Sequence, residues 1–236
     1  MTATTDPAIL AEQVEYYRRR AGEYDEWWLR TGRYDRGPEL NAAWHADARE
    51  VEDALVATLD RRQPARALEL ACGTGLFTRF VAPRVGHLLA LDASPEVQAI
   101  NAARVAAPNV EYELADLFAW QPRERYDFVF MSFWLSHVPD DRFAAFWARV
   151  RDALAPGGVA YVIDSGWDTT SSAVNHVRPD REGGIAQRKL NDGSEFRIVK
   201  VFHEPDALAR RLAGLGFSAQ IAHTPRYFIH GAVAPA

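Results

Sequence analysis

The chain reads as an α/β protein: a doubly wound, mainly parallel seven-stranded sheet with an N-terminal helical cap. Three observations predict this. Short apolar runs, the length of buried strands, recur at 67–70, 87–91, 110–114, 126–131 and 159–163. Stretches with helical spacing separate them, and turn residues mark the joins. Strand-then-helix repetition implies parallel strands joined by right-handed crossovers.

The elements follow in order. Residues 1–60 are mostly helical: 12–24 is interrupted only by Gly22, and 41–59 contains no breaker. The first strand, 67–70, runs straight into two glycines and a short helix. Ser94-Pro95 supplies an N-cap and first turn for a helix that Pro108 stops. Phe143, Phe146, Trp147, Val150 and Leu154 recur at three and four, the stripe of a helix packed on a sheet. That helix starts at Pro139-Asp140-Asp141 and stops at Pro156-Gly157-Gly158. Residues 165–200 carry little helical pattern, and Asn191-Asp192-Gly193 marks a turn before a strand-like run at 195–202. Pro205 opens a helix that Gly216 ends, and two strands, about 217–222 and 226–230, close the sheet. The expected organisation is a cap at 1–60, a core at 61–164, an insertion at 165–203, and a final helix and two strands at 204–236.

Composition narrows the classes. Of 236 residues, 48% are hydrophobic and 25% charged, which suits a folded globular chain. The net charge of −5 disfavours a nucleic acid as main partner, since phosphate binding needs a basic face. Cys72 is the only cysteine, which excludes an intrachain disulfide and fits a reducing compartment. No run approaches the ~18 apolar residues of a membrane span, and Met1-Thr-Ala-Thr-Thr-Asp6 does not read as a secretory signal. The expectation is a cytoplasmic protein with no membrane partner. A homodimer stays open. Seven histidines lack paired ligand spacing, so no metal is expected.

The first strand ends in Glu69-Leu70-Ala71-Cys72-Gly73-Thr74-Gly75. Gly73 and Gly75 allow a sharp turn and close approach of a ligand. Two features depart from a dinucleotide fingerprint: Thr78 holds the third glycine's place, and Glu69 puts a carboxylate where a pyrophosphate would be repelled. The electrostatics favour a cationic ligand. Asp92 closes the second strand near the ~20-residue spacing at which a carboxylate accepts ribose hydroxyls; its alternative is a helix-capping turn.

The string 67–75 closely resembles motif I of class I S-adenosylmethionine-dependent methyltransferases. The resemblance continues through Leu89-Ala90-Leu91-Asp92-Ala93-Ser94, Ala115-Asp116-Leu117, Tyr126-Asp127-Phe128-Val129-Phe130 and Leu154-Ala155-Pro156-Gly157-Gly158. It covers about 66–164 in the expected order and implies a Rossmann-like core. Ala71 departs from it, standing where the family often has glycine. The resemblance implies S-adenosylmethionine as methyl donor, held by Glu69, Ala71, Gly73, Gly75, Asp92, Ala93, Asp116, Leu117 and Ser132. Asp116 should meet the adenine amino group, with Leu117 or Phe118 near the ring; the alternative for Asp116 is a surface loop acid. Ser94 should mainly cap its helix, and Cys72 should be a packed residue rather than a nucleophile.

Tyr16, Arg20 and Tyr24 are spaced by four and share a helix face. With Tyr17 they resemble the N-terminal lid of small-molecule N- and O-methyltransferases, which implies contacts to the cofactor's carboxylate. An amphipathic surface helix is the plainer reading.

The fourth strand leads into Met131-Ser132-Phe133-Trp134-Leu135-Ser136-His137, resembling the segment that faces the transferred methyl. His137 is the candidate general base or acceptor-orienting group, its ordinary pKa lying near neutrality. A helix-entry histidine bonded to backbone or cofactor is the alternative. Phe133 and Trp134 should wall the acceptor, and Trp167, His176, Arg188 and Tyr227 are its further candidate contacts. The cations of 165–200, Arg178, Arg181, Lys189 and Arg197 among them, would favour an acidic or phenolic acceptor; a solvated hairpin is the alternative. The reaction implied is in-line transfer of a methyl group to O or N of a small molecule. Two rival readings are a nicotinamide-dependent oxidoreductase, disfavoured by Glu69 and Thr78, and a non-catalytic S-adenosylmethionine-binding protein.

Overall fold

The computed structural model describes residues 4–177 and 184–236; Arg178 and Arg181 lie outside the described residues. The strands of its main sheet are β1 (Arg66–Leu70), β2 (His87–Asp92), β3 (Val110–Leu114), β4 (Tyr126–Ser132), β5 (Leu154–Ser165), β8 (Phe217–His223) and β9 (Phe228–Pro235). Their order is β3-β2-β1-β4-β5-β9-β8. The first five strands in that order run parallel, and β9 enters antiparallel to both β5 and β8. This is the Rossmann-like, mainly parallel seven-stranded sheet expected from the strand and turn pattern.

Alternation along the strands divides the core. Leu68, Leu70, Val129, Met131 and Val162 point to one face, under α6 (Asp140–Ala153) and α7 (Pro205–Ala213). Ala67, Phe128, Phe130, Tyr161 and Ile163 point to the other, with the buried stripe Trp44, Val51, Leu55 and Leu59 of α3 (Pro38–Arg62). That packing makes α3 part of the sheet's own covering layer, so only the helices before it form a cap over the site.

Three details differ from the sequence reading. The Pro156-Gly157-Gly158 stop lies inside β5, where the register against β4 shifts and Gly157 takes φ +78. No helix lies between β3 and β4, which are joined by turns over 115–125. In the insertion, β7 (Glu195–Val199) falls on the strand-like run expected at 195–202, and the difference is its hairpin partner β6 (Ile185–Lys189), for which no strand is expected.

The cap is α1 (Pro7–Arg20) and α2 (Asp25–Leu29), with α4 (Thr78–Val81) and α5 (Pro95–Val105) completing the helices. Asp6 caps α1, accepting from the Ala8 amide. The cap lies against the hairpin. The Gln13 side-chain oxygen accepts the Val199 amide at 3.0 Å, Glu12 pairs with Arg197 at 2.9 Å, and Arg19 pairs with Asp192 at 2.7 Å. Among the described residues, no helix is long and apolar enough to cross a membrane.

Candidate active site

Ligands of such sheets bind beyond the carboxyl ends of the strands, and there the chain opens two adjoining cavities. The larger, about 360 Å³, is lined by Ala71, Gly73, Asp92, Ala93, Ser94, Asp116, Leu117, Phe118, Ser132 and Trp134, with α1 over it. The smaller, about 60 Å³, lies under the hairpin and is lined by Arg20, Tyr34, Ser165, His176, Arg188 and Lys200. Tyr17, Tyr24, Phe133 and His137 line both, forming a septum between them.

Backbone strain marks both loops that build the site. Ala71, directly after β1, has φ +55, and Phe133, directly after β4, has φ +53. Glycine costs least in that region, which accounts for the family's frequent glycine where this chain has alanine. Gly75 has φ +86, and a Cβ there would come within 2.8 Å of Asn101 Oδ1.

Asp92 has two duties. Its Oδ2 accepts the Gly73 amide and its Oδ1 the Ser94 amide, both at 3.0 Å, so it pins the glycine loop to the start of α5. Each carboxylate oxygen keeps a further lone pair for a ligand hydroxyl. Burial pushes its carboxyl above the ordinary range while those amides oppose the shift. Asp116 accepts the Phe118 amide through Oδ1 at 2.8 Å. Ser94 caps α5, accepting from the Val97 amide.

His137 is engaged at both ring nitrogens. Nδ1 lies 2.6 Å from the Val199 carbonyl, which can only accept, so this nitrogen carries the proton. Nε2 then accepts from the Tyr17 hydroxyl at 2.7 Å. Burial, with the charges of Lys200, Arg188 and Arg20, holds the imidazole well below its ordinary pKa. The ring is neutral and fixes the Tyr17 hydroxyl, and its lone pair is already taken.

The cations of the smaller cavity are buried. Arg20 lies among the rings of Tyr16, Tyr17, Tyr24 and Tyr34 and donates to the Tyr34 hydroxyl at 3.1 Å. Among the described residues, Arg188 donates only to the neighbouring Gln187 carbonyl, at 3.3 Å. Lys200 donates to Ser136 and Ser165 hydroxyls at 2.8 and 3.1 Å and lies 3.8 Å from Asp164. Burial lowers its pKa to about 8, opposed by Asp164.

Several expected site residues lie elsewhere. Tyr16 is one position, hence about 100° of helix, from Tyr17 and packs against Phe196. Glu69 is fully buried beside Thr78, lines neither cavity, and is held up at about 8 by burial, so it supplies no exposed negative charge to the cleft. Gly75 shapes the loop without lining it. Arg20 lines the smaller cavity and not the larger, and Trp134 does the reverse, its ring tilted against Phe118 at 5.4 Å. Trp167 lines neither. Tyr227 is buried against Trp44, bonded to Thr170. Cys72 is buried, with its thiol pushed well above the ordinary range. Lys200 went unnoticed in the sequence; its signal was a lone cation in the apolar run Ile198-Val199-Lys200-Val201-Phe202.

A glycine-turned loop, carboxylates after two consecutive strands, and a second cavity across a shared wall define a two-substrate enzyme that takes a nucleoside-type ligand. The comparisons give the family. A family model described as a methyltransferase domain matches residues 67–158. The trans-aconitate 2-methyltransferase of Streptomyces avermitilis is 33% identical over 193 residues, covering 76% of this chain and 68% of that protein. The enzyme of that name from Mycobacterium tuberculosis is 31% identical over 190 residues, covering 79% and 69%. A solved structure titled as the DhpI–SAH complex shares 37% identity and a TM-score of 0.79, covering 98% of this chain and 99% of that one. A second, titled as DhpI with SAM and HEP, shares 36% and 0.77, covering 98% and 100%. The chain belongs to the class I S-adenosylmethionine-dependent methyltransferases. It is an enzyme that uses this donor to methylate a small-molecule acceptor, which sets aside the nicotinamide and non-catalytic readings.

Proposed function

We propose that the enzyme methylates an oxygen of a small carboxylic acid, releasing a methyl ester. The observation that carries this is the set Arg20, Arg188 and Lys200, buried around a cavity that shares a wall with the larger one. A neutral acceptor would leave the two guanidinium charges without an acidic partner among the described residues, in a place where burying charge is costly. The names of the relatives, trans-aconitate 2-methyltransferases, agree in class: trans-aconitate is an acid.

The larger cavity suits the donor. Asp92 is offered to ribose hydroxyls and Asp116 to the adenine amino group, with Leu117 and Phe118 beside the ring, while Gly73 and Ala71 let the backbone approach. Tyr17 and Tyr24 close it from the cap. S-adenosylmethionine, when bound, supplies an electrophilic methyl group on a sulfonium. Everything else falls to the protein's own residues. The cations hold the acid, the septum aligns it, and α1 with the hairpin excludes water. A carboxylic acid is already ionised near neutrality, so no base is needed. His137 therefore acts as a positioning residue for Tyr17.

The test is incubation with S-adenosylmethionine and a panel of small acids, trans-aconitate included, beside phenols and amines. Acid-dependent S-adenosylhomocysteine and an alkali-labile methyl ester are expected. Turnover of phenols or amines, with every acid inert, overturns the reading.

A further inference from the structure

We infer that the smaller cavity is a dianion site, and that methylation itself unloads it. This rests on the acid-acceptor reading and goes beyond it, because that reading needs only one negative charge. The lining contributes three cations, Arg20, Arg188 and Lys200. Among the described residues one carboxylate answers them: Asp164, fully buried beneath Lys200, which also accepts the Ser136 and Ser165 amides. Among the described residues the two guanidinium groups have no acidic partner; Arg20 is 7% and Arg188 8% exposed, and each donates to a neutral oxygen. Neighbouring charges do not close the balance. Arg33 is already paired with Glu23 at 2.6 Å, and Arg30 and Arg36 are turned onto carbonyls of residues 170–172. His137 and His176 are both neutral, held down by burial. Among the described residues the lining therefore carries a surplus of two positive charges on buried side chains.

A monoanion would leave one guanidinium uncompensated, and a dianion leaves none. The acceptor is thus two carboxylates on a short frame or a single doubly ionised group. The chemistry then works on that balance. The acceptor oxygen donates an electron pair to the methyl carbon as the carbon–sulfur bond breaks, its pair staying on sulfur. One negative charge disappears from the smaller cavity and one positive charge from the larger, and no proton moves. The ester is a monoanion in a site built for a dianion, so it is held more weakly than the substrate.

The experiment is calorimetric titration of the protein saturated with S-adenosylhomocysteine, using malonate, monomethyl malonate, dimethyl malonate and inorganic phosphate. The better of malonate and phosphate is expected to bind at least about tenfold more tightly than the half-ester, the diester not at all. Malonate over phosphate marks a two-carboxylate acceptor, and the reverse marks a single dianionic group. In Arg188→Met, and in Arg188→Gln as a second variant, the preference for dianion over half-ester should collapse. S-adenosylhomocysteine affinity should stay within about twofold, which reports a folded donor cavity. Equal binding of malonate and its half-ester, or no binding of either dianion at millimolar concentration, overturns the dianion site. If acids are still methylated in that case, the acid reading stands without it. If phenols or amines are turned over and acids are not, both fall.

Discussion

At the residue scale the account turns on which groups are free to act. His137 has its proton on the nitrogen facing Val199 and its lone pair on the Tyr17 hydroxyl, so it cannot collect a proton from the acceptor without breaking that contact. The acceptor kcat/KM should therefore show no inflection near pH 6.5 in a pH–rate profile, whereas a working imidazole base would produce one. Lys200 titrates instead. With its pKa near 8 it is charged below that value, and a bound acid raises the pKa further. Acceptor affinity should be full below pH 8 and fall as pH rises above it. Of the groups facing Lys200, Arg20 and Arg188 stay charged in that window, and His137, His203 and Tyr17 stay neutral. A Lys200→Met variant should bind acceptor more weakly at pH 7 and lose this dependence, measured as acceptor KM against pH. Asp92→Ala should weaken S-adenosylhomocysteine binding by about 1–3 kcal/mol, the usual cost of lost buried hydrogen bonds, because two loop amides also lose their acceptor. Unchanged affinity by calorimetry would remove Asp92 from the site.

At the scale of elements, the strands were legible because each buried run alternates faces between recognisable stops, and β1, β2 and β4 fall within a residue or two of expectation. What stayed hidden depends on contacts distant in sequence. The Pro156-Gly157-Gly158 stop is a bulge only because β4 pairs with residues on both sides of it. The breaker-free stretch of α3 says helix and not which surface it covers. Strand β6 (Ile185–Lys189) is short, with Gln187, Arg188 and Lys189 polar in succession, and is held in place by β7 and the cap. The clasp between cap and hairpin was equally invisible, since Gln13 and Val199 meet only in three dimensions. Gln13→Ala should leave the buried Val199 amide unpaired and cost about 1–3 kcal/mol, read from the denaturation midpoint. The loop after β1 gives a second prediction. Gly75→Ala puts a side chain at φ +86 against Asn101 and should destabilise by at least about 1 kcal/mol while weakening donor binding.

Across the whole molecule, one sheet end presents two cavities, and four side chains separate them. Much of the larger cavity was readable, because Ala71, Gly73, Asp92, Ala93, Asp116, Leu117 and Ser132 follow consecutive strands whose carboxyl ends converge. The smaller was read in part, through His176 and Arg188. Its charge balance depends on Lys200, Asp164 and Arg20 arriving from three separate elements, and no local spacing announces that. Glu69 shows the opposite error: a carboxylate beside the glycines in sequence is folded beneath the loop. The most direct measurement is a crystal structure with S-adenosylhomocysteine and malonate together. The account predicts ribose at Asp92, adenine at Asp116, the sulfur facing Tyr17, Tyr24 and Phe133, and malonate beyond them on Arg20, Arg188 and Lys200. Malonate bound away from those cations, or the donor product outside the larger cavity, would contradict it.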